Sequence, residues 1–252
     1  MIVVENIYKS FNEELVLNDI SVTFEKGKTN LIIGRSGSGK TVLMKSIVGL
    51  HDVDSGAIYY NGRDFVQMTV KAKQDLRKEM GMLFQGSALF DSLTVEENVI
   101  FPLQMFSDMS YEEKKERVNF CLKRVSLENV NSLFPSELSG GMKKRVAIAR
   151  AIVQNPRYLF CDEPNSGLDP ITAIIIDNLI SEITHEYDIT TIINTHDMNS
   201  VMEIGEKVVF IHEGLKCWEG TKDDVLTSDD NNLNDFVFAS NLAKKIRDLQ
   251  SE

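Results

Sequence analysis

The sequence has few of the features that mark membrane-spanning, secreted or nucleic-acid-binding chains. None of its 252 residues belongs to an apolar run of the roughly 18 residues that a transmembrane helix requires. The N-terminus has no signal-peptide core. The net charge is −11, which disfavours a surface that wraps nucleic acid, so we expect no nucleic-acid partner.

Cysteine is also scarce. Cys121, Cys161 and Cys217 are odd in number and widely spaced, without a CxxC pair or the spacing of a zinc site. This usage favours a reducing, cytosolic compartment. Internal repeats and low-complexity segments are absent, and the apolar fraction of 42% is typical of a globular protein. The length suits one α/β domain with an inserted subdomain.

Apolar runs and helical patterns alternate along the chain. Strands are predicted at residues 2–7, 16–17, 20–24, 30–33, 57–60, 158–161, 189–194, 208–211 and 215–218. From about residue 75 to residue 155 the pattern is mainly helical, with a capping box at Ser110 and Glu113. A further helix begins at Asp169-Pro170, and an apolar tail (Leu233, Leu242) predicts one or two appended helices. These patterns predict an α/β domain with a helical insertion.

A glycine-rich loop lies between a predicted strand and a predicted helix, and it fits the pattern GxxxxGK[ST]. Its glycines allow backbone N–H groups to surround phosphate oxygens, and the helix directs its N-terminus at the same anion. Lys40 would reach the β- and γ-phosphates, and the Thr41 hydroxyl would ligate Mg²⁺. A chance match is expected in roughly one chain in a hundred. The sequence therefore predicts an ATP site that contains Gly34, Arg35, Ser36, Gly37, Ser38, Gly39, Lys40, Thr41 and Val42.

Two carboxylates, Asp162 and Glu163, follow a buried strand of the predicted sheet. The C-terminal ends of parallel strands are where ligands bind in open α/β sheets. Asp162 is suited to hold Mg²⁺, and Glu163 to polarise an attacking water as a general base. Two acids after a strand are usually a solvated loop, but their place about 120 residues after a phosphate loop favours catalysis.

A second anion-binding helix end is predicted at Ser139-Gly140-Gly141. Ser139 would cap the helix, and the two glycines would expose backbone donors. One nucleotide needs only one phosphate loop per chain. We therefore expect this second site to serve a nucleotide held by another copy of the chain, which predicts a homodimer.

The run LSGGM at residues 138–142 resembles the signature of the ABC ATPase family, and the resemblance extends over about residues 1–220. It implies an α/β P-loop NTPase (RecA-like) core at about 1–84 and 157–220, with an N-terminal antiparallel β-subdomain. It also implies an inserted α-helical subdomain at about 85–156, followed by a C-terminal helical tail at 221–252. The signature would contact the γ-phosphate across a head-to-tail dimer.

The same resemblance assigns further roles. Gln85 resembles the Q-loop glutamine, which senses Mg²⁺ and water, and residues 166–169 (SGLD) resemble the D-loop. His196 resembles the switch histidine that contacts the γ-phosphate. Phe11 resembles the aromatic residue that stacks on adenine, with Tyr8 as the alternative. Taken alone, a residue of any of these types at such a position more often has a structural role than a functional one.

The signature departs from the family at its fifth position, where Met142 replaces the usual glutamine. The backbone donors and Ser139 remain, so we expect ATPase activity to survive. The basic run at residues 143–145 (KKR) is predicted to be a solvated helix face, with phosphate or a partner as the alternative contact.

Residues 84–98 (FQGSALFDSLTVEEN), together with LSGGM and SGLDPIT, resemble the ATPase subunits of MCE-type lipid transporters. This implies phospholipid transport between bacterial membranes and a peripheral location on the cytoplasmic face of the inner membrane. The implied partners are membrane permease subunits, an MCE substrate-binding protein and a small regulatory subunit. Leu89, Phe90 and Leu93 would form a groove for a permease helix; alternatively, they pack the helical subdomain.

Three alternatives stay open. The chain could power import or export of another solute. It could be a non-transport ABC protein that acts on ribosomes or DNA, although such proteins usually carry two cassettes or a long coiled coil. It could also be a regulatory subunit that does not turn over, which the presence of Glu163 and His196 argues against.

Overall fold

The structure is a computed structural model that describes residues 1–239. Its strands are β1 (Ile2–Phe11), β2 (Glu14–Phe24), β3 (Thr29–Ile33), β4 (Ser55–Tyr60), β5 (Arg63–Asp64), β6 (Met80–Leu83), β7 (Tyr158–Asp162), β8 (Thr190–Thr195), β9 (Lys207–His212) and β10 (Leu215–Gly220). Its helices are α1 (Lys40–Ile47), α2 (Val70–Arg77), α3 (Val95–Phe106), α4 (Tyr111–Arg124), α5 (Gly140–Ile152), α6 (Pro170–Glu186), α7 (Met198–Ile204), α8 (Lys222–Val225) and α9 (Asn231–Val237).

The chain divides into two compact units. The first contains Met1–Glu25, Thr29–Gln67 and the chain from Asn194 onward; the second contains Lys26–Lys28 and Met68–Ile193. The subdivision at residues 84/85, 156/157 and 220/221 stays a prediction. None of the helices in residues 1–239 is long and apolar enough to cross a membrane.

The first unit contains an antiparallel sheet with the strand order β2-β1-β4-β5, as expected of the N-terminal β-subdomain. It also contains β9, which pairs in parallel with β3 and antiparallel with β10. Every residue of β3 is buried, as expected for a parallel strand that is covered on both faces. β3 leads directly into the phosphate loop and α1.

The second unit combines parallel strands with helices. β6 pairs in parallel with β7, and Leu83 lies opposite Cys161. α5 packs on β6 so closely that a Cβ at Gly81 would lie 2.2 Å from the Ala151 carbonyl oxygen. α3 and α4 pack against α5. Ser110 and Glu113 form the predicted capping box of α4.

The structure differs from the sequence-based expectations in several places. β2 is one continuous strand, although the polar residues Asn18 and Asp19 interrupt the apolar pattern and predict two separate strands. α2 begins at Val70, earlier than the helical pattern suggested, and β6 was not predicted. β6 is only four residues long and contains Gly81, so it lacks a clear strand pattern. In the tail, α8 and α9 follow residue 221, while Leu242 lies outside the described residues.

Candidate functional site

The phosphate loop in the first unit has the backbone that its glycines were expected to allow. Gly34 has φ +148°, and a Cβ there would lie 2.2 Å from the Ile211 carbonyl oxygen. Gly39 has φ +106° and precedes the first residue of α1 without a side-chain cap. An uncapped helix N-terminus of this kind is a favourable position for an anion.

Lys40 lies inside this loop. Its side chain is 5% exposed, and its ammonium group donates to the carbonyl oxygens of Gly34 at 2.8 Å and Arg35 at 2.9 Å. The Ser38 hydroxyl is buried and has no hydrogen-bond partner, which is a costly arrangement that a phosphate oxygen would relieve. Thr41 is exposed in the first turn of α1. The loop thus fits a nucleotide phosphate.

Two further candidates in the first unit lie at strand ends. Phe11 is the last residue of β1 and is 39% exposed. Its ring packs edge-on against His51, with centroids 5.2 Å apart, and Lys9 Nζ lies over the ring at 5.2 Å from its centroid. Tyr8, the alternative, is half-buried. His196 is exposed directly after β8.

The carboxylate pair follows β7 in the second unit. Asp162 is the buried last residue of the strand, 8% exposed. Glu163 is half-buried and has φ +49°, an unusual value for a glutamate. This backbone conformation places a strained turn at a candidate catalytic position, where such strain often occurs.

Gln85 lies close to Glu163, as the sheet register explains. Leu83 and Cys161 are paired, so the residues two positions later lie at the same edge of the sheet. The Gln85 amide nitrogen is 3.5 Å from Glu163 Oε2. Two of the predicted catalytic residues are therefore brought together within this unit.

Two cations of α5 hold the segment after β6, and sequence reasoning missed both. Lys144 Nζ donates to the Gln85 carbonyl oxygen. Arg150 donates to the carbonyl oxygens of Ser87 and Ala88, both at 2.7 Å. The expectation of a solvated basic face is wrong for Lys144, which is only 4% exposed. Burial lowers the pKa of Lys144, an effect that nearby Cys161 and Glu163 oppose.

The signature forms the N-terminus of α5, as predicted. The Ser139 hydroxyl accepts from the Met142 N–H at 3.2 Å. A Cβ at Gly141 would lie 2.8 Å from the Thr172 methyl group, so glycine permits the close approach of α6. A pocket of about 580 Å³ opens here. It is lined by Ser126, Leu127, Glu128, Val130, Ser139, Gly140, Gly141, Met142, Arg145, Gly167, Leu168, Asp169, Thr172 and Ile175.

The segment before α3 contains the apolar cluster that the sequence singled out. Phe90 is 44% exposed, and its ring centroid lies 4.9 Å from that of Phe101. It therefore packs in part against α3, in agreement with the alternative prediction that these residues pack the helical subdomain. Asn98, which sequence reasoning missed, is fully buried and orders this segment. Its amide donates to the carbonyl oxygens of Phe90, Leu93 and Thr94 at 2.9–3.1 Å. Its oxygen accepts from the Phe90 N–H at 2.8 Å.

Comparison with protein families and curated relatives gives consistent matches. Residues 17–166 match the family described as ABC transporter. The chain is 36% identical over 253 aligned positions to the methionine import ATP-binding protein MetN of Campylobacter jejuni, covering 94% of this chain and 75% of that protein. It is 34% identical over 234 positions to the probable ribonucleotide transport ATP-binding protein mkl of Mycobacterium tuberculosis. That match covers 93% of this chain and 65% of that protein. The chain thus spans between 65% and 75% of the length of these two relatives.

Solved structures agree with the fold. The protein cbiO1 of Clostridium perfringens, described as part of the ABC transporter complex cbiONQ, superposes with a TM-score of 0.84 at 29% identity, covering 100% of this chain and 98% of that chain. The ATP-binding cassette MJ0796, in a dimeric post-hydrolysis state with ADP and Pi bound, gives a TM-score of 0.80 at 31% identity. That match covers 88% of this chain and 99% of the other.

Proposed function

The chain belongs to the ABC transporter family and has the ATPase domain of that family, and from this premise we propose that two copies bind and hydrolyse Mg-ATP to drive transport. The phosphate loop carries the proposal. Its buried, unpartnered Ser38 hydroxyl, its two strained glycines and its enclosed Lys40 ammonium together favour a bound polyphosphate.

Each candidate residue then has a chemical role. Lys40 neutralises charge that develops on the β- and γ-phosphates. Gly34 through Val42 supply the backbone cradle, and the Phe11 ring stacks on the adenine. His196 donates to the γ-phosphate, and Glu163 accepts a proton from the attacking water while the Gln85 amide orients it.

Mg²⁺ would be held by the Thr41 hydroxyl, Asp162 and Gln85, with phosphate oxygens and water as its other ligands. Bound there, it supplies positive charge to the phosphate oxygens as a Lewis acid. No group of three His, Cys, Asp or Glu side chains within residues 1–239 could hold a metal, which fits an ion that depends on its nucleotide.

Ser139, Gly140 and Gly141 would contact the γ-phosphate of the nucleotide bound by the second copy. The two glycines at the N-terminus of α5 and the open pocket beside them favour this role. Hydrolysis would release the two copies from each other and rock attached permease subunits. We propose that the chain is a peripheral subunit on the cytoplasmic face of a bacterial inner membrane.

The substrate that we propose is phospholipid, moved by an MCE-type system with an MCE substrate-binding protein and a small regulatory subunit. The support is the resemblance of residues 84–98 and the two accompanying motifs. A second candidate is uptake of a small solute, which is favoured by the similarity to a methionine import protein.

One experiment tests hydrolysis and a second tests the cargo. In the full chain, Glu163→Gln should reduce phosphate release from Mg-ATP by at least about 100-fold, because the general base is lost; unchanged turnover, or none in the wild type, would overturn the ATPase proposal.

The complex purified in detergent should contain a permease, an MCE protein and phospholipid by mass spectrometry. Co-purification with a soluble solute-binding protein instead would favour solute uptake.

A further inference from the structure

α5 connects the signature to the Q-loop segment (residues 84–88). The helix begins at the signature Ser139 and packs directly on β6 at Gly81. Its two cations, Lys144 and Arg150, both donate to carbonyl oxygens in the segment that follows β6. Three of the five carbonyl groups in that segment are therefore held by one helix.

Burial of a lysine ammonium group requires a specific compensating contact. Lys144 is 4% exposed, and transfer of its charge out of water is costly unless a partner accepts its hydrogen bonds. The Gln85 carbonyl oxygen provides such an acceptor. Charge-assisted hydrogen bonds of this kind are stronger than neutral ones, so the contact fixes the position of the Gln85 backbone.

The position of that backbone matters for the Gln85 side chain. Gln85 and Ser87 bracket Gly86, where an added Cβ would meet no atom within 4 Å, so no neighbouring group supports the segment on that side. Ser87 and Ala88 have φ values of +63° and +46°, a strained conformation that needs external support. Arg150 supports these two residues, while Lys144 supports Gln85 itself.

We propose that Lys144 is a positioning residue for ATP hydrolysis: by holding the Gln85 carbonyl oxygen, it keeps the Gln85 amide beside the Glu163 carboxylate. This inference rests on the proposed function of Gln85 and Glu163. Arg150 immobilises the rest of the segment. α5 then both begins with the signature and holds the segment that contains the water-orienting glutamine.

The test compares Lys144→Met with Lys144→Arg in the full chain. The methionine keeps the length of the side chain but removes the donor, so we expect kcat to fall about tenfold while KM for Mg-ATP changes less than about twofold. The arginine retains a donor and should recover most of the loss. The control is Lys123→Met, which removes the same charge from an exposed position on α4.

A double-mutant cycle with Gln85→Ala separates positioning from general stability. If Lys144 acts through the Gln85 amide, Lys144→Met should lower kcat less than about twofold further in the Gln85→Ala background. Equal tenfold losses in both backgrounds, or a loss confined to KM, would overturn the proposal.

Hydrogen exchange supplies a readout that does not depend on turnover. The Ser87 amide, which donates to the Phe84 carbonyl oxygen at 2.9 Å, should exchange at least about tenfold faster in Lys144→Met and at an unchanged rate in Lys123→Met. Unchanged exchange in Lys144→Met would contradict the contact even if the wild type hydrolyses ATP. Absence of hydrolysis in the wild type would instead refute the proposed function, and with it the positioning role.

Discussion

The first glycine of the phosphate loop is the residue with the least room for a side chain in this loop. A Cβ at Gly34 would lie 2.2 Å from a backbone oxygen of Ile211 and 2.8 Å from the Ser38 hydroxyl. Backbone atoms cannot move aside as a flexible side chain can. Gly37, by contrast, has φ +80° but no atom within 4 Å of its missing Cβ.

Gly34→Ala should therefore lower the free energy of unfolding by about 3 kcal/mol, because both the contact and the backbone conformation are unfavourable. Gly37→Ala is the matched control and should cost only about 1 kcal/mol, from backbone strain alone. Urea unfolding of the two variants measures the difference. Equal losses would mean that the loop does not approach Ile211 as described.

At the scale of one element, the segment before α3 is held by the side chain of Asn98. Asn98 makes four hydrogen bonds, three as donor and one as acceptor, and all lead to backbone groups of residues 90–94. Each group left without its partner in a buried site costs about 1–3 kcal/mol.

Asn98→Leu should lower the free energy of unfolding by about 3 kcal/mol, because the leucine fills the space without making these hydrogen bonds. Gln104→Leu on the exposed face of the same helix is the control and should change stability by less than about 0.5 kcal/mol. Denaturation followed by circular dichroism compares them. If the two variants were equally stable, Asn98 would not be ordering the segment.

The sequence was most informative where local chemistry determines local structure. The phosphate loop, the Ser110 cap of α4 and the Ser139 cap of α5 each follow from a short pattern whose hydrogen bonds link residues no more than about six positions apart. Their positions could therefore be predicted without a fold.

Features that depend on distant residues could not be predicted in the same way. β6 is a strand because it pairs with β7, about 78 positions further along the chain. Lys144 belongs to a charged run that is typical of a solvated face, and only the packing of α5 on β6 buries it. Asn98 gives no signal either, since its partners are backbone groups.

At the scale of the whole molecule, the central question is why one chain carries two helix ends that are both proposed to bind anions. α1 begins at Lys40 without a side-chain cap at Gly39, and α5 begins at Gly140 beside its Ser139 cap. We propose that the N-terminus of α5 contacts the nucleotide bound by another copy of the chain. A dimer should therefore form only when Mg-ATP is bound and not yet hydrolysed.

The most direct measurement is the mass of the Glu163→Gln chain by light scattering at saturating Mg-ATP. The account predicts about twice the 28.5 kDa of one chain with Mg-ATP, and 28.5 kDa with Mg-ADP. Adding Gly140→Asp, whose Cβ meets nothing nearer than 3.5 Å but whose charge repels phosphate, should abolish the dimer. A mass that stays at 28.5 kDa in Mg-ATP, or a dimer that survives Gly140→Asp, would contradict the account.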